Sequence, residues 1–185
     1  MGNRAGRYRR PLSAMRAYLD ELDAQPVPVP RERRLLAALG PKMLALAGER
    51  SAGAHPYLVS AEHTQRARQA LGPDALLAPE LSVVLDPDPV SARATARAFI
   101  ADYLKLPAYA ENLRRQGFGE EEWGDGGSDR LVDELVAWGD EAAIARELQA
   151  HLEAGADHVC IQVVGLAQGE LARDAWRRLA PALVA

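Results

Sequence analysis

A chain that alternates short apolar runs with longer amphipathic stretches has few ways to fold. Here the runs are Leu35 to Leu39, Gly53 to Val59, Leu77 to Leu85 and Asp157 to Val164, with helix-patterned segments between them. Strands joined through helices pair in parallel with right-handed crossovers, so the order predicts an α/β fold. Alternation alone fits an open sheet and a piece of a barrel equally well.

The turn residues sharpen the boundaries. Leu12, Met15, Leu19 and Leu22 share one face of a helix over Pro11 to Asp23. The stretch from Gln25 to Pro30 follows as an extended linker, because each proline removes a donor and bars its predecessor from helix. Pro41 opens a helix after Gly40, and Ser60 caps the next, which Gly72-Pro73-Asp74 stops. Asp86-Pro87-Asp88-Pro89 starts a long helix reaching about Leu104. Residues 107–129 break the rhythm as an irregular insertion: one short helix, then a mobile acidic, glycine-rich loop. Two helices follow, over about Arg130 to Trp138 and Glu141 to Ala154, the second capped by Asp140, and a last one spans about Leu171 to Leu183.

Composition excludes several classes. With 26 acidic against 22 basic residues, the chain lacks the basic surplus that phosphate backbones select. It holds no apolar run long enough for a membrane span, and its charged first ten residues lack the apolar stretch of a secretory signal, so a cytoplasmic setting is expected. The single Cys160 excludes an internal disulfide and reads as a small core residue.

Candidate chemistry gathers where strands pass into helices. The Leu39-Gly40-Pro41-Lys42 turn lets a ligand approach the backbone and offers helix-start N–H groups to an anion, although any tight turn favours glycine. His55, with Pro56 and Tyr57, sits at the end of the next strand and can donate to a phosphate or carbonyl, or be satisfied by nearby backbone. Gln162 lies close to the same rim. His63, His151 and His158 have no convergent ligand spacing, so no metal is expected. Asp86 and Asp88 read as caps, and Glu120 to Glu122 as a solvated loop. No serine–histidine–acid set or carboxylate pair can be assembled from spacing, and the catalytic residues stay unknown.

Three stretches carry a resemblance: RYRRPLSAMRAYLDELD, AALGPKMLALAGERSAGAHPYLVSAEHTQRAR and AWGDEAAIARELQAHLEAGADHVCIQVV. Together they resemble the luciferase-like monooxygenase superfamily, and within it the oxidoreductases that depend on the deazaflavin coenzyme F-420. The resemblance implies a (β/α)8 TIM barrel, ordinarily about 250 residues. The chain would then be an incomplete barrel, a single domain over residues 1–185 holding about strands five to eight with their helices. The helix opening at Tyr8-Arg9-Arg10-Pro11 would follow a fourth strand that precedes this sequence. Further implications are a coenzyme F-420 cofactor, with FMN the alternative, against Ala38, Leu39, Gly40 and Pro41. His55, Pro56 and Tyr57 would meet a small-molecule substrate or the cofactor phosphate.

Half a barrel bares two sheet edges and an apolar inner face, so self-association, most simply as a dimer, is expected. Two rival readings stand beside the oxidoreductase: a non-catalytic half-barrel acting through association, and a phosphate-binding aldolase or isomerase. The last class wants a catalytic Lys, Glu or Asp at a strand end, which the pattern does not offer.

Overall fold

The computed structural model describes residues 10–167 and 169–183, so Tyr8 and Arg9 of the first predicted helix lie outside the described residues. Eight helices and six short strands follow in α/β order among them. The first helix, α1 (Pro11–Asp23), leads through an extended segment to β1 (Leu35–Leu36), α2 (Pro41–Arg50), β2 (Gly53–Ala54) and α3 (Ala61–Leu71). Next come β3 (Leu76–Leu77), β4 (Glu80–Val84), α4 (Pro89–Leu104), α5 (Pro107–Arg115) and α6 (Asp129–Leu135). The chain closes with β5 (Val136–Trp138), α7 (Glu141–Glu153), β6 (Cys160–Val163) and α8 (Arg173–Leu183).

Every strand pair is parallel, in the orders β1-β2-β3 and β5-β4-β6. The predicted strand over Leu77 to Leu85 is divided at Pro79, which has no N–H for the ladder. Hydrogen bonds nevertheless run across the break, from the Ala78 N–H to the Ala54 carbonyl and from the Cys160 N–H to the Pro79 carbonyl. The strand that sequence reading missed is β5. Asp129–Leu135 is a helix capped by Ser128, but Val136 swings to φ −132, ψ 115 and the chain becomes strand without a glycine or proline to mark the change. It occupies a vacated edge: β2 runs beside β3 until Pro56, then departs, and Val136 takes the place beside Ser82.

Alternation sorts the sheet into two faces. Leu36, Ala54 and Leu77 pair across the first sheet and are buried with Leu44, Ala47, Ala67 and Leu71 of α2 and α3, over Leu19 of α1. Leu81, Val83, Ile161 and Val163 turn the same way, against Ile144, Leu148 and Leu152 of α7 and Leu179 of α8. The opposite, inner face carries Leu35, Gly53 and Leu76 at its base, and Glu80, Ser82 and Val84 beside Cys160 and Gln162 further along. Helices α4, α5 and α6 form a third apolar cluster with Leu58 and Val84, at the strands' C-terminal ends.

Caps fall where predicted. Ser60 accepts from the His63 N–H, Asp88 from the Val90 and Ser91 N–H groups, and Asp140 from the Ala143 N–H. The acidic stretch at 120–126 forms two single 3-10 turns held by Arg114 over the Trp123 ring and by Arg130 paired to Glu122.

One arginine ties the base together. The Arg68 guanidinium donates to the carbonyls of Gly72, Ala75 and Gly155 and pairs with Asp157, whose carboxylate also accepts the Leu77 N–H. Arg68→Met strips three carbonyls of a charged donor while half-exposed Asp157 regains water, so a loss of about 2 kcal/mol is expected in urea unfolding. A change below about 0.5 kcal/mol would show the cluster to be surface decoration.

Candidate functional site

The ends of β1 and β2 place two of the sequence-predicted segments side by side. The Ala38–Pro41 turn leaves β1, and the His55–Tyr57 segment leaves β2, with the His55 N–H donating to the Leu36 carbonyl at 2.9 Å. Ala38 itself is buried on the helix side, in the cluster with Leu36 and Leu44, so only its backbone can meet a ligand. Its exposed neighbour Ala37 shares the inner face with Leu35, a position sequence reasoning passed over.

Gly40 supplies approach rather than unusual torsion, since its φ of −84 and ψ of 153 are open to any residue. A Cβ there would meet only the flexible guanidinium of Arg115, at 3.4 Å. Pro41 holds the first helical position, and no side chain caps α2. The helix start therefore presents polar backbone to open space beside a cation, which suits an anionic or carbonyl-bearing ligand. From below, His63 holds the turn: its Nε2–H donates to the Leu39 carbonyl at 2.9 Å, while Nδ1 has no protein partner among the described residues. Burial lowers the His63 pKa, with a partial rise from the Leu39 bond and further lowering by the Arg66 and Arg115 charges. Spacing alone assigned His63 no task; its reach to Leu39 exists only once α3 lies over β1.

The segment after β2 is clamped at several points. His55 Nδ1 lies 2.6 Å from the Ala78 carbonyl, and the Glu80 N–H donates to the Pro56 carbonyl at 2.8 Å. Leu58 then adopts a left-handed φ of 54, unusual for a branched side chain. Its N–H donates to Glu80 Oε2 at 3.1 Å, and Ser82 Oγ donates to Glu80 Oε1 at 2.7 Å. The Tyr57 hydroxyl donates to Gln162 Oε1 at 2.9 Å and accepts from the Tyr103 hydroxyl at 3.2 Å. Tyr103 stacks at 5.2 to 5.6 Å from the rings of Tyr57, Phe99 and Tyr109.

This inner cluster is strongly polarised. Burial raises the Glu80 pKa, opposed by its bonds from Ser82 and Leu58 and by nearby His55. Burial also raises Tyr57, helped by the Tyr103 hydrogen bond and the Glu80 charge, and pushes Tyr109 up to about 12. The Cys160 thiol rises for the same two reasons, burial first and then Glu80. The phenols and the thiol thus remain protonated donors at neutral pH. Sequence reasoning missed Glu80 and Tyr103. An acid inside the apolar run ELSVVL was the available signal for Glu80, since an acidic side chain on a strand buried on both faces needs a partner. Nothing in the sequence marks Tyr103.

Two clefts lie near the sheet. One of about 490 Å³ opens at the strands' N-terminal ends, lined by Arg31, Ser51, Leu71 and Gly72. The other, about 300 Å³, opens past β4 and β6 between Val84, Thr95, Gly165 and Arg178. Parallel α/β sheets bind ligands at their C-terminal ends, so the smaller cleft lies at the same end of the sheet as the candidate site, but its lining includes neither the Ala38–Pro41 turn nor the His55–Tyr57 segment. His158 is exposed at the start of β6, away from it, and no group of three acidic, His or Cys side chains among the described residues is placed to hold a metal ion. No helix among them is long and apolar enough to cross a membrane.

Parallel strands alternating with helices, with tight turns at the strand ends, define the chain as an α/β fold. The sequence profile of the luciferase-like monooxygenase family matches residues 4–158, and the chain belongs to that family. Its fold is similar to a coenzyme F-420-dependent secondary alcohol dehydrogenase solved with an F-420–acetone adduct, at TM-score 0.55 and 15% identity, covering 80% of this chain and 48% of that one. It is similar to the coenzyme F-420-dependent tetrahydromethanopterin reductase of Methanopyrus kandleri, at TM-score 0.56 and 18% identity, covering 70% and 44%. An EDTA monooxygenase from a Chelativorans strain aligns at TM-score 0.58 and 15% identity, covering 86% and 46%. The chain thus spans just under half the length of these three proteins. No curated protein matches the sequence significantly.

Proposed function

We propose that this chain carries the C-terminal-half side of a luciferase-like oxidoreductase site, a single partial TIM barrel corresponding to about strands five to eight. The reaction class is hydride transfer or monooxygenation on a small organic substrate in a cytoplasmic setting, with coenzyme F-420 as cofactor and FMN as the alternative. The observation that carries this reading is the open, uncapped start of α2 at Gly40, beside the Tyr57–Tyr103–Gln162 cluster at the same strand ends.

The residues fit the ring and phosphate of such a cofactor. Backbone of the Ala38–Pro41 turn would line it, with His63 holding the Leu39 carbonyl in place and the Arg115 guanidinium, paired with Glu111, as the neighbouring cation. When bound, the deazaflavin or flavin supplies the hydride-accepting or oxygen-activating chemistry, and the protein orients it and excludes water. His55, Pro56 and Tyr57 face the substrate side, where the protonated Tyr57 hydroxyl can donate to a carbonyl or hydroxyl oxygen that displaces Gln162 Oε1.

Titration with oxidised and reduced coenzyme F-420 and with FMN tests the reading. Saturable binding is expected, and Gly40→Val, whose side chain fills the approach, should weaken it about tenfold or more. Absence of binding at high micromolar concentration would favour the second reading, a non-catalytic partner in an assembly. One observation favours that alternative: Leu35 and Leu76, at 41% and 37% exposure, flank Gly53 in an uncovered apolar row of the inner face.

A further inference from the structure

The rim segment holds a strained residue and a buried charge in direct contact, and neither is accounted for by cofactor binding. Leu58 is 3% exposed and left-handed at φ 54, a conformation that persists in a branched residue only where its surroundings over-determine it. Glu80, also 3% exposed, grips the segment twice, through its own N–H to the Pro56 carbonyl and through its carboxylate to the Leu58 N–H. The residue between these two anchors is Tyr57. We propose that Glu80 is a positioning residue for the substrate rim, clamping the left-handed Leu58 to β4 so that the Tyr57 hydroxyl is delivered to Gln162 and Tyr103.

The geometry leaves little alternative use for the carboxylate. Each oxygen already accepts a bond, Oε2 from Leu58 and Oε1 from Ser82, and Glu80 is 3% exposed, so the carboxylate is built into the wall of the rim. A neutral amide could accept the same N–H with less desolvation, and what the charge adds is a field. The groups facing that field are His55 and Tyr57 from the rim, Tyr109 from α5 and Cys160 from β6. A buried anion disfavours ionisation of each phenol and of the thiol, keeping Tyr57 in its donor form. The clamp also separates the strands: with the chain diverted at Leu58, the edge of β4 beyond Pro56 is open for β5.

The role in substrate handling rests on the oxidoreductase reading, but the clamp does not, and the experiment separates them. Glu80→Gln is nearly isosteric: its one amide oxygen can keep the Leu58 N–H bond, its NH2 can donate to Ser82 Oγ in the reverse sense, and the charge is removed. Glu80→Ala removes both. Ultraviolet titration of the tyrosines, assigned with Tyr57→Phe and Tyr109→Phe, should move to lower pH in Glu80→Gln while the melting temperature stays close to wild type. Nitration by tetranitromethane, which attacks phenolate, should be slow at Tyr57 in the wild type. Mapped by mass spectrometry, it should accelerate about tenfold in Glu80→Ala, and less in Glu80→Gln. If Glu80→Ala does not fold, the Glu80→Gln titration still decides. Unchanged Tyr57 nitration in folded Glu80→Ala, or unchanged titration and nitration in Glu80→Gln where Glu80→Ala does not fold, would overturn the proposal. Shifts in both assays with no binding of deazaflavin or FMN to the wild type would overturn the oxidoreductase reading and leave the clamp standing.

Discussion

Gly53→Ala is expected to destabilise the protein by about 3 kcal/mol or to prevent folding, since a Cβ there makes the shortest collision at any described glycine. A Cβ at this position would lie 1.8 Å from the Leu76 carbonyl oxygen and 2.7 Å from the Leu76 nitrogen. Both atoms are backbone of the neighbouring strand, so no rotamer change relieves the collision. The ladder cannot open on the other side either, because Gly53 pairs with Leu35 as well as Leu76. The contrast is Gly72, where a Cβ meets nothing within 4 Å and the constraint is instead its φ of 92. Thermal unfolding of Gly53→Ala measures the effect. A midpoint within about 2 °C of wild type would mean that β2 and β3 do not approach as closely as described.

Acidification from pH 7 towards pH 4 should be the second large effect, through a histidine pair buried between α3 and α7. His151 is 3% exposed, with its Nδ1 2.8 Å from Thr64 Oγ1, and its pKa is lowered from 6.5 to about 4 by burial and then by His63. The folded state therefore resists a proton that the unfolded chain accepts. Stability from His151 is complete above pH 6.5 and drains away as pH falls to about 4, a loss on the order of 3 kcal/mol. His63, also lowered and facing Arg66 and Arg115, acts in the same direction. Glu80 opposes them: its raised pKa means the folded state takes up that proton more readily, so the penalty of burying its charge eases in acid. Urea midpoints measured from pH 7.5 to pH 4.5 should fall, and His151→Gln should flatten the slope. A wild-type midpoint constant over that window would refute the buried-neutral assignment. At the site, a protonated His63 would keep its Nε2–H bond to the Leu39 carbonyl but carry a buried, unpartnered Nδ1–H near the Arg66 and Arg115 charges.

How legible was this protein in its residues? The α/β order, the caps Ser60, Asp88 and Asp140, and the turn at Gly40-Pro41 were all readable, because each depends on a few adjacent side chains and backbone torsions. Strand lengths were overestimated. Apolar runs such as Gly53 to Val59 continue past the last ladder hydrogen bond, and Leu58 stays buried as loop rather than strand. β5 was invisible for a different reason. Leu131, Val132, Leu135 and Val136 keep helical spacing straight through the point where the ladder with β4 takes over.

What the residues determined alone was the alternation, and with it parallel strands, an outer face for helices and a polar rim after each strand. Those are local consequences of periodicity and turn chemistry. Tertiary structure decided which side chains meet. Tyr57 reaches Gln162 across 105 positions of sequence, His151 reaches Thr64 across 87, and Glu80 finds Leu58 only because Pro56 and a left-handed turn bend the chain back. Pairings over such separations depend on strand register and helix placement, which no window of neighbouring residues contains.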